Sequence, residues 1–285
     1  MASVSDEDGR TVIRDLATFQ PVRTLAPCDS PQAFSPDGSL LVLDGRGPCT
    51  VDFTGAVQFQ PTPDSVLRSR VIDVDSGSEV LDLGPRLVIG AAFNPAGQFR
   101  AGRYLAVNVD LHAIEIYDMD TRRMVASLDF GDDLDYALSF DPRGRWLSGG
   151  TANGRSWVMD LAAVAAGKSA HDALVFDQDD HKGGTSAKAL SADGVLATVG
   201  VADGVVRLWR FSSGTPLVEL RHAASTAAAP VAFSPDGQYM VYTDGIVLRR
   251  YLLHPDALIA LARSRLTRTL TADECRRYLN RSSCN

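Results

Sequence analysis

The pentapeptide Phe34-Ser35-Pro36-Asp37-Gly38 occurs twice in the chain, and its second copy is Phe233–Gly237. Three degraded copies lie between the two and end at Gly97, Gly144 and Gly194. Successive glycines of the five copies are therefore 59, 47, 50 and 43 residues apart. A turn that returns every ~40–50 residues is typical of a β-propeller, in which each repeat forms one four-stranded blade.

A second series of residues repeats with a matching period. Predicted strands rich in β-branched and aromatic residues end at an Asp in four units and at an Arg in the fifth. These residues are Asp15, Asp73, Asp118, Asp160 and Arg210, and they are 58, 45, 42 and 50 residues apart. Two series with similar spacing strengthen the prediction of a repeat protein.

Five dipeptides between these landmarks predict tight hairpin turns, because Asp-Gly and Asn-Gly tolerate positive φ at both turn centres. They are Asp8-Gly9, Asp44-Gly45, Asn153-Gly154, Asp203-Gly204 and Asp244-Gly245. A complete unit is thus predicted to contain strand a, the Pro-Asp-Gly turn, strand b, a tight turn, strand c, a short loop and strand d. The phenylalanine or leucine before each Pro-Asp-Gly-like turn should be buried between blades. These residues are Phe34, Phe93, Phe140, Leu190 and Phe233.

The predicted units cover residues 2–26, 31–83, 87–129, 134–176, 185–221 and 229–252. The second unit is the longest, and we expect an extra hairpin within Cys49–Arg68. The first unit lacks strand a and the last lacks strand d, so the count is three, sixteen and three strands, or 22 in all. Either the ring closes irregularly, or the chain is a piece of a longer array, which we favour. An exposed edge is expected near Met1–Ser5 or near Ile246–Leu253.

The sequence after the last unit changes to a helical period. We divide the chain into a propeller at 1–253 and a helical tail at 254–285. Pro255 suits a first helical turn, and Thr271–Glu274 is a capping box that starts a second helix through Leu279. Six arginines make the tail basic: Arg263, Arg265, Arg268, Arg276, Arg277 and Arg281. We expect a helical hairpin on an open propeller edge in preference to a nucleic-acid arm.

Composition limits the partners. The chain of 285 residues has a net charge of −7, which disfavours nucleic-acid and anionic-membrane partners. It has no run of 18 apolar residues, and its first residues lack the order of a signal peptide. The cysteines Cys28, Cys49, Cys275 and Cys284 show no zinc spacing, so we expect reduced thiols in a cytoplasmic protein.

The Phe-Ser-Pro-Asp-Gly turns together with Asp203–Trp209 resemble the WD-repeat family, over about residues 2–252. The resemblance implies a rigid scaffold for protein–protein contacts. From the candidate motifs themselves we expect no catalytic residue, cofactor or metal. Members often carry a His before strand a that contacts the turn Asp, and His181 and His222 lie near that place. The tail from Leu258 to Leu279 resembles the closing segment after WD-repeat arrays in bacterial signalling proteins that contain a STAND-type NTPase. This second resemblance implies a sensor or scaffold region.

Three segments could suggest other chemistry. Ala162–Ser169 fits a relaxed phosphate-binding loop but is predicted to be a loop between strands c and d, since no helix of the required length follows. The acidic and His-containing stretch His171–His181 could bind a cation weakly, and Asp132, Asp133 and Asp135 form a similar acidic corner. Solvated loops are the favoured interpretation of both.

The competing class is an enzymatic propeller, lactonase-like or hydrolase-like, with its site in the central channel. Such an enzyme would need Asp, Glu or His on several innermost strands, whereas the candidate a strands carry small and apolar residues. We therefore predict a protein that is not an enzyme and that binds a protein partner, with self-association through an open edge as a further expectation. The residues that bind the partner stay unassigned.

Overall fold

The computed structural model describes residues 2–5, 11–25, 29–45, 50–51, 57–58, 68–97, 99–131, 138–221, 230–244, 247–266, 268 and 270–282. Their strands form antiparallel sheets that follow one another along the chain, and helices α2 (Pro255–Arg265) and α3 (Ala272–Leu279) come last. Six of the described sheets correspond to the six predicted units, so the all-β fold is a β-propeller with a short helical tail. No helix in the described ranges is both long and apolar enough to cross a bilayer.

The first two blades have different numbers of strands. Blade 1 contains three strands, β1 (Ala2–Ser5), β2 (Thr11–Arg14) and β3 (Pro21–Thr24). Blade 2 contains four, β4 (Asp29–Phe34), β5 (Leu40–Gly45), β8 (Ser69–Asp73) and β9 (Glu79–Gly84). Between β5 and β8 the chain makes a separate hairpin of β6 (Thr50–Val51) and β7 (Val57–Gln58). The expected extra hairpin within Cys49–Arg68 is therefore confirmed.

Blades 3 to 5 each contain four strands. Blade 3 is formed by β10 (Val88–Phe93), β11 (Tyr104–Val109), β12 (Ala113–Asp118) and β13 (Arg123–Asp129). Blade 4 is formed by β14 (Ser139–Phe140), β15 (Trp146–Gly150), β16 (Arg155–Asp160) and β17 (Leu174–Asp179). Blade 5 is formed by β18 (Thr185–Leu190), β19 (Val195–Gly200), β20 (Val205–Arg210) and β21 (Thr215–Arg221).

Blade 6 again has three strands, β22 (Val231–Phe233), β23 (Tyr239–Asp244) and β24 (Val247–Leu252). The described blades thus contain three, sixteen and three strands, as predicted. In their sheets β1 and β24 each pair with one strand only, so both are edge strands. The expected open edge is confirmed within the described residues.

The apolar core lies between successive blades. Val158 and Phe176 of blade 4 pack against Leu190, Leu196 and Phe211 of blade 5. Successive side chains of a strand point to opposite faces of the blade, toward the preceding and the following blade. The apolar residues of one strand therefore pack against two different blades. Every blade is therefore held by its neighbours along the chain.

The five residues predicted to be buried before the Pro-Asp-Gly-like turns give a mixed result. Phe93 and Leu190 are buried, whereas Phe34, Phe140 and Phe233 are half-buried. Phe34 follows blade 1, which has no strand a to cover it, and Phe233 belongs to the last blade. The prediction of full burial was wrong for these three side chains; the missing strand a of blade 1 accounts for Phe34, whereas Phe140 and Phe233 pack against the complete blades 3 and 5.

Two turn predictions also differ from the structure. Asp44 and Gly45 belong to strand β5 and make no tight turn, because the β6–β7 hairpin follows them. Blade 3 makes its b–c turn at Asp110 and Leu111, which both have positive φ, of 52° and 65°. Neither residue is glycine, so the sequence alone did not indicate this turn.

Asp residues at the ends of the c strands organise the next turn. The carboxylates of Asp15, Asp73 and Asp118 accept backbone N–H groups two or three residues further on. Such local hydrogen bonds are what Asp contributes to a turn. The second repeating series of the sequence therefore marks the c–d turns.

One prediction about the tail, the reduced state of its cysteine Cys275, was wrong. Cys275 is disulfide-bonded and fully buried, and its partner cysteine lies outside the described residues. The expectation of reduced thiols is therefore wrong for Cys275. Helix α3 is short and its other described side chains are mostly exposed, so a covalent link replaces the apolar core that so small an element cannot bury. The predicted capping box of Thr271 and Glu274 is present.

Candidate interaction surface

Strand β24 of the last blade is exposed where its counterparts are buried. The c strands of blades 2 to 5 are mostly buried, whereas the first four residues of β24 are all exposed. Val247 and Leu248 have relative exposures of 48% and 68%, which is unusual for aliphatic side chains of a strand. The described residues of blade 6 thus present an uncovered apolar and basic strand.

The backbone of β24 is unpaired on its outer side. Hydrogen bonds alternate in direction along an antiparallel strand. Tyr239 and Thr243 of β23 bond toward β22, through Ser234 and Pro230, so their alternate neighbours bond toward β24. The residues of β24 that face β23 are accordingly Val247, Arg249 and Tyr251. The N–H and C=O groups that point outward belong to Leu248, Arg250 and Leu252, and no described strand pairs with them.

Strand β20 is the c strand of blade 5 and the equivalent of β24, and in that complete blade the d strand β21 covers its outer side. Its sequence, Val205–Arg210, aligns with Val247–Leu252 because Arg210 and Leu252 hold the same register against their b strands. In this alignment Arg207 corresponds to Arg249. Arg207 lies opposite Glu219 of the d strand, with 3.6 Å between its Nε and a carboxylate oxygen.

Acidic residues recur on the d strands of the four complete blades. Strands β9, β13, β17 and β21 each contain at least one Asp or Glu. Glu79 is 2.9 Å from Arg68, and Asp177 is 2.5 Å from Arg155. These arginines precede or begin the c strand of the same blade. In blades 2, 4 and 5, an arginine on the c strand or just before it thus lies near an acidic residue of the d strand.

Helix α2 follows the open strand after two residues, and the contacts between the two elements are those of chain neighbours. It begins with Pro255 at its first turn. Its apolar residues stay largely exposed, with relative exposures of 38% at Leu258, 47% at Ile259 and 39% at Leu261. Arg263 and Arg265 occupy its last turn. The expected packing of the tail on the open edge stays a prediction, and the helix carries exposed apolar and positively charged groups.

The segment that fits a relaxed phosphate-binding loop lies between β16 and β17, as predicted. Helix α1 (Leu161–Ala165), which the sequence did not indicate, precedes Gly167 instead of following it. The backbone N–H groups of Gly167 and Lys168 donate to the carbonyl groups of Val164 and Ala163. These N–H groups close the helix and do not point into a phosphate-sized cradle.

The acidic side chains of the segment His171–His181 make separate contacts and do not gather at one site. Arg155 binds the Asp177 carboxylate through two hydrogen bonds. The Ser156 hydroxyl donates to Asp180, at 2.8 Å. Among the residues that the structure describes, no group of three or more His, Cys, Asp or Glu side chains is placed to hold a metal ion. Asp132, Asp133 and Asp135 lie outside the described residues.

The resemblance to the WD-repeat family correctly predicted one polar network, between His181 and the turn residue Asp203. Nδ1 of His181 is 3.0 Å from Asp203, and Nε2 is 2.8 Å from the hydroxyl of Thr198. Arg207 also donates to Asp203 and to the carbonyl of Asp180. The His181 side chain is fully buried, so no substrate can reach it. The network joins the d–a loop to the b–c turn, and His222 lies outside the described residues.

Lys188 is a polar residue of an innermost strand that sequence reasoning missed. It lies on β18 and is buried. Its aliphatic part packs against Gly150, where an added Cβ would overlap Lys188 Cε. The signal was present as a Lys within the run Thr185–Leu190, two residues before the turn leucine. A single buried Lys does not supply the several acidic groups that an active site in the channel would need.

Repeated ion pairs lie at the end of the blades that is opposite to the b–c turns. Arg103 and Arg145 stand directly before strands β11 and β15, and they bind Asp118 and Asp160 with two hydrogen bonds each. Each guanidinium also lies over the next aromatic ring, at 5.2 Å from the centroid of Tyr104 and 4.3 Å from that of Trp146. An open cleft of about 380 Å³ lies there. Its lining residues are Gly97, Asp141, Arg143, Arg145, Trp146 and Ala192.

The comparisons with known proteins agree with the fold. No protein-family model matches the chain, and no curated protein matches it. A chain of the structure titled "Crystal Structure of Mitotic Checkpoint Complex" is similar in structure, with a TM-score of 0.62 and 16% sequence identity. The match covers 88% of this chain and 70% of that chain. At this level of identity the likeness shows the fold alone, which is a β-propeller.

Proposed function

We propose that the chain is a non-enzymatic protein-interaction propeller that binds a partner at its last blade and tail. The observation that carries this proposal is the exposure of Val247 and Leu248 on a strand whose counterparts are buried. Exposed apolar residues beside charged ones mark interaction sites in proteins more often than scattered apolar residues do. The resemblance of the tail supports a scaffold or sensor module within a bacterial signalling protein.

The experiment compares two exposed leucines. Wild-type chain and the variants Leu248→Glu and Leu217→Glu are immobilised and exposed to lysate of the source organism. Leu217 is 43% exposed on β21 and serves as the matched control. We expect a defined protein to be retained by wild type and by Leu217→Glu and lost with Leu248→Glu. Equal retention by all three would contradict binding at the last blade.

The enzymatic alternative is tested on the purified chain. A screen of esters, lactones and phosphate esters, with and without divalent cations, should give no turnover above the buffer. Robust turnover that survives repurification would move the chain into the enzyme class. Lys188→Met is the variant to examine in that case, because Lys188 is a buried cation on an innermost strand.

The cytoplasmic location that we expect from the sequence remains a prediction. The disulfide at Cys275 bears on it, because structural disulfides are rare in reducing compartments. Fractionation of cells together with labelling of free thiols measures both properties. Cys275 unlabelled in a periplasmic or secreted fraction would contradict the cytoplasmic prediction.

A further inference from the structure

We propose that the cleft at the a–b turns of blades 3, 4 and 5 binds a small organic anion, a carboxylate or a phosphate, through the guanidinium of Arg143. This site is separate from the last blade, so the inference goes beyond the proposed function and does not depend on it. Three observations carry it: a reversal of charge in one repeated turn, an exposed guanidinium that no described residue pairs, and a lining whose free groups are hydrogen-bond donors.

The a–b turn of blade 4 departs from the repeat in the sign of its charge. The fourth residue of the Phe-Ser-Pro-Asp-Gly motif is Asp in blades 2, 5 and 6 and Ala in blade 3, whereas blade 4 has Arg143. The four other residues are Asp37, Asp193, Asp236 and Ala96. A position at which one unit breaks the pattern of the others is where a functional requirement is expected to override the local rule.

The turn of blade 4 keeps its hydrogen bonds without an aspartate at this position. In blade 2 the Ser and Asp of the motif bond to each other, with 2.6 Å between the Ser35 hydroxyl and the Asp37 carboxylate. In blade 4 Asp141 stands in the Ser position, and its carboxylate accepts three backbone N–H groups of the turn and of the start of β15. The side chain of Arg143 is therefore not needed to form the turn.

The guanidinium of Arg143 is available to a ligand. Arg143 is exposed, and its side chain makes no ion pair or hydrogen bond with the residues that the structure describes. The other arginine of the cleft, Arg145, is instead held by the carboxylate of Asp160. The Arg143 backbone is fixed, because Gly97 packs so closely on it that an added Cβ would overlap the Arg143 carbonyl oxygen. A guanidinium on such a fixed turn can bind a carboxylate or phosphate with two parallel hydrogen bonds.

The rest of the lining favours an anion over a cation. The indole N–H of Trp146 is a second donor, and no described residue accepts its hydrogen bond. The acidic residue of the lining, Asp141, is buried, and both of its oxygens already accept backbone N–H groups. The carboxylate of Asp193 lies beside Gly237 of blade 6. A cleft of about 380 Å³ with free donors fits a small molecule that supplies acceptor oxygens.

The indole N–H signals of the isotope-labelled full chain measure binding by NMR. The chain has three Trp residues, and the indole nitrogens of Trp157 and Trp209 are buried, so these two serve as internal references. The probes are benzoate and phenyl phosphate, with benzylammonium as the cation of matched size. We expect at least one oxyanion to shift the Trp146 signal, assigned with Trp146→Phe, whereas benzylammonium leaves it unchanged. Shifts of equal size with the cation would overturn the proposal.

Variants of the turn test the role of Arg143. Arg143→Gln should weaken binding of the oxyanion about tenfold, because a charge-assisted pair of hydrogen bonds is lost. Arg143→Asp, which restores the residue of blades 2, 5 and 6, should abolish binding. Both variants should keep the thermal unfolding of wild type, since the turn is held by Asp141. Arg123→Gln, at an exposed arginine of β13, is the matched control and should bind as wild type does.

The outcomes also separate the two sources of the oxyanion and the two binding surfaces. A shift with benzoate alone assigns the site to carboxylates, and a shift with phenyl phosphate alone assigns it to phosphates. Leu248→Glu should bind the probes as wild type does, because the cleft lies on blades 3 to 5. Oxyanion shifts that persist unchanged in Arg143→Gln would show non-specific binding to surface charges and overturn the proposal, while the interaction function of the last blade would stand.

Discussion

The carboxylate of Asp203 lies 3.0 Å from Nδ1 of His181 and ties the b–c turn of blade 5 to the loop that precedes the same blade. Both groups are shielded from water, and Arg207 donates a further hydrogen bond to the carboxylate at 2.9 Å. Ionised, hydrogen-bonded groups of this kind stabilise a fold only while they keep their charge. The network therefore makes the stability of blade 5 sensitive to acid.

The first prediction concerns this pH dependence. Burial acts to raise the pKa of Asp203, but hydrogen bonds from Arg207 and His181 outweigh it, so the pKa lies below its ordinary value. A lowered pKa gives stability that is present above the unfolded value of about 4 and is lost as the pH falls through the folded value. Asp203→Asn should therefore reduce the loss of unfolding free energy between about pH 6 and pH 3. Urea unfolding at several pH values measures it, and an unchanged acid slope would contradict the role of Asp203.

The second prediction concerns Gly154. This residue has φ of +97°, and a Cβ added to it would overlap the carbonyl oxygen of His181. Both the backbone conformation and the lack of space oppose any side chain. Gly154→Ala should lower the free energy of unfolding by about 2 kcal/mol or more. Gly131→Ala is the control, since it also has positive φ but open space around its Cβ, and a similar loss in both would show that the contact with His181 is unimportant.

The third prediction concerns Phe19, whose ring is 69% exposed and whose φ is +57°. The equivalent positions of the other c–d turns hold Gly77, Arg122 and Gly214, all with positive φ. An L side chain in this region costs roughly 1 kcal/mol. Phe19→Gly should therefore leave stability unchanged or raise it by about 0.5 kcal/mol, as thermal unfolding would show. A clear loss of stability would mean that the Phe19 ring packs against part of the protein.

The fourth prediction separates two core phenylalanines. Phe93 is buried and Phe233 is half-buried, although both precede a Pro-Asp-Gly-like turn. Phe93→Ala should cost about 3–5 kcal/mol of unfolding free energy, and Phe233→Ala clearly less. Denaturant unfolding of the two variants under the same conditions provides the measurement. Equal costs would indicate that the last blade is covered as fully as blade 3.

The sequence was sufficient for the parts of the fold that repeat. The Pro-Asp-Gly-like turns indicated the blade period, and counting the strands of the six predicted units correctly gave three, sixteen and three. Local turn chemistry explains this success, because Asp73 and Gly77 determine a turn through contacts within a few residues. The open edge followed from the same count.

The residues that sequence reasoning missed depend on contacts between distant parts of the chain. The burial of Phe34 depends on whether blade 1 has a strand a beside it, and the sequence around Phe34 does not indicate this. Leu111 adopts positive φ without being Gly, because the hairpin of β11 and β12 imposes the turn on it. The exposed β24 surface became visible only when its strand could be compared with β20 in the same register. The disulfide of Cys275 had no spacing that would indicate it.

The open edge also has a consequence for how the chain unfolds. The principal contacts between blades join neighbours along the chain, such as β4 with β10 and β18 with β22. A linear array of this kind gains stability from each unit and from each interface between units, and its end units have one interface instead of two. Blades 1 and 6 should then fray while blades 3 and 4 stay folded, so melting would spread inward. A ligand bound to the last blade would act as a cap on that end and hold the whole array together.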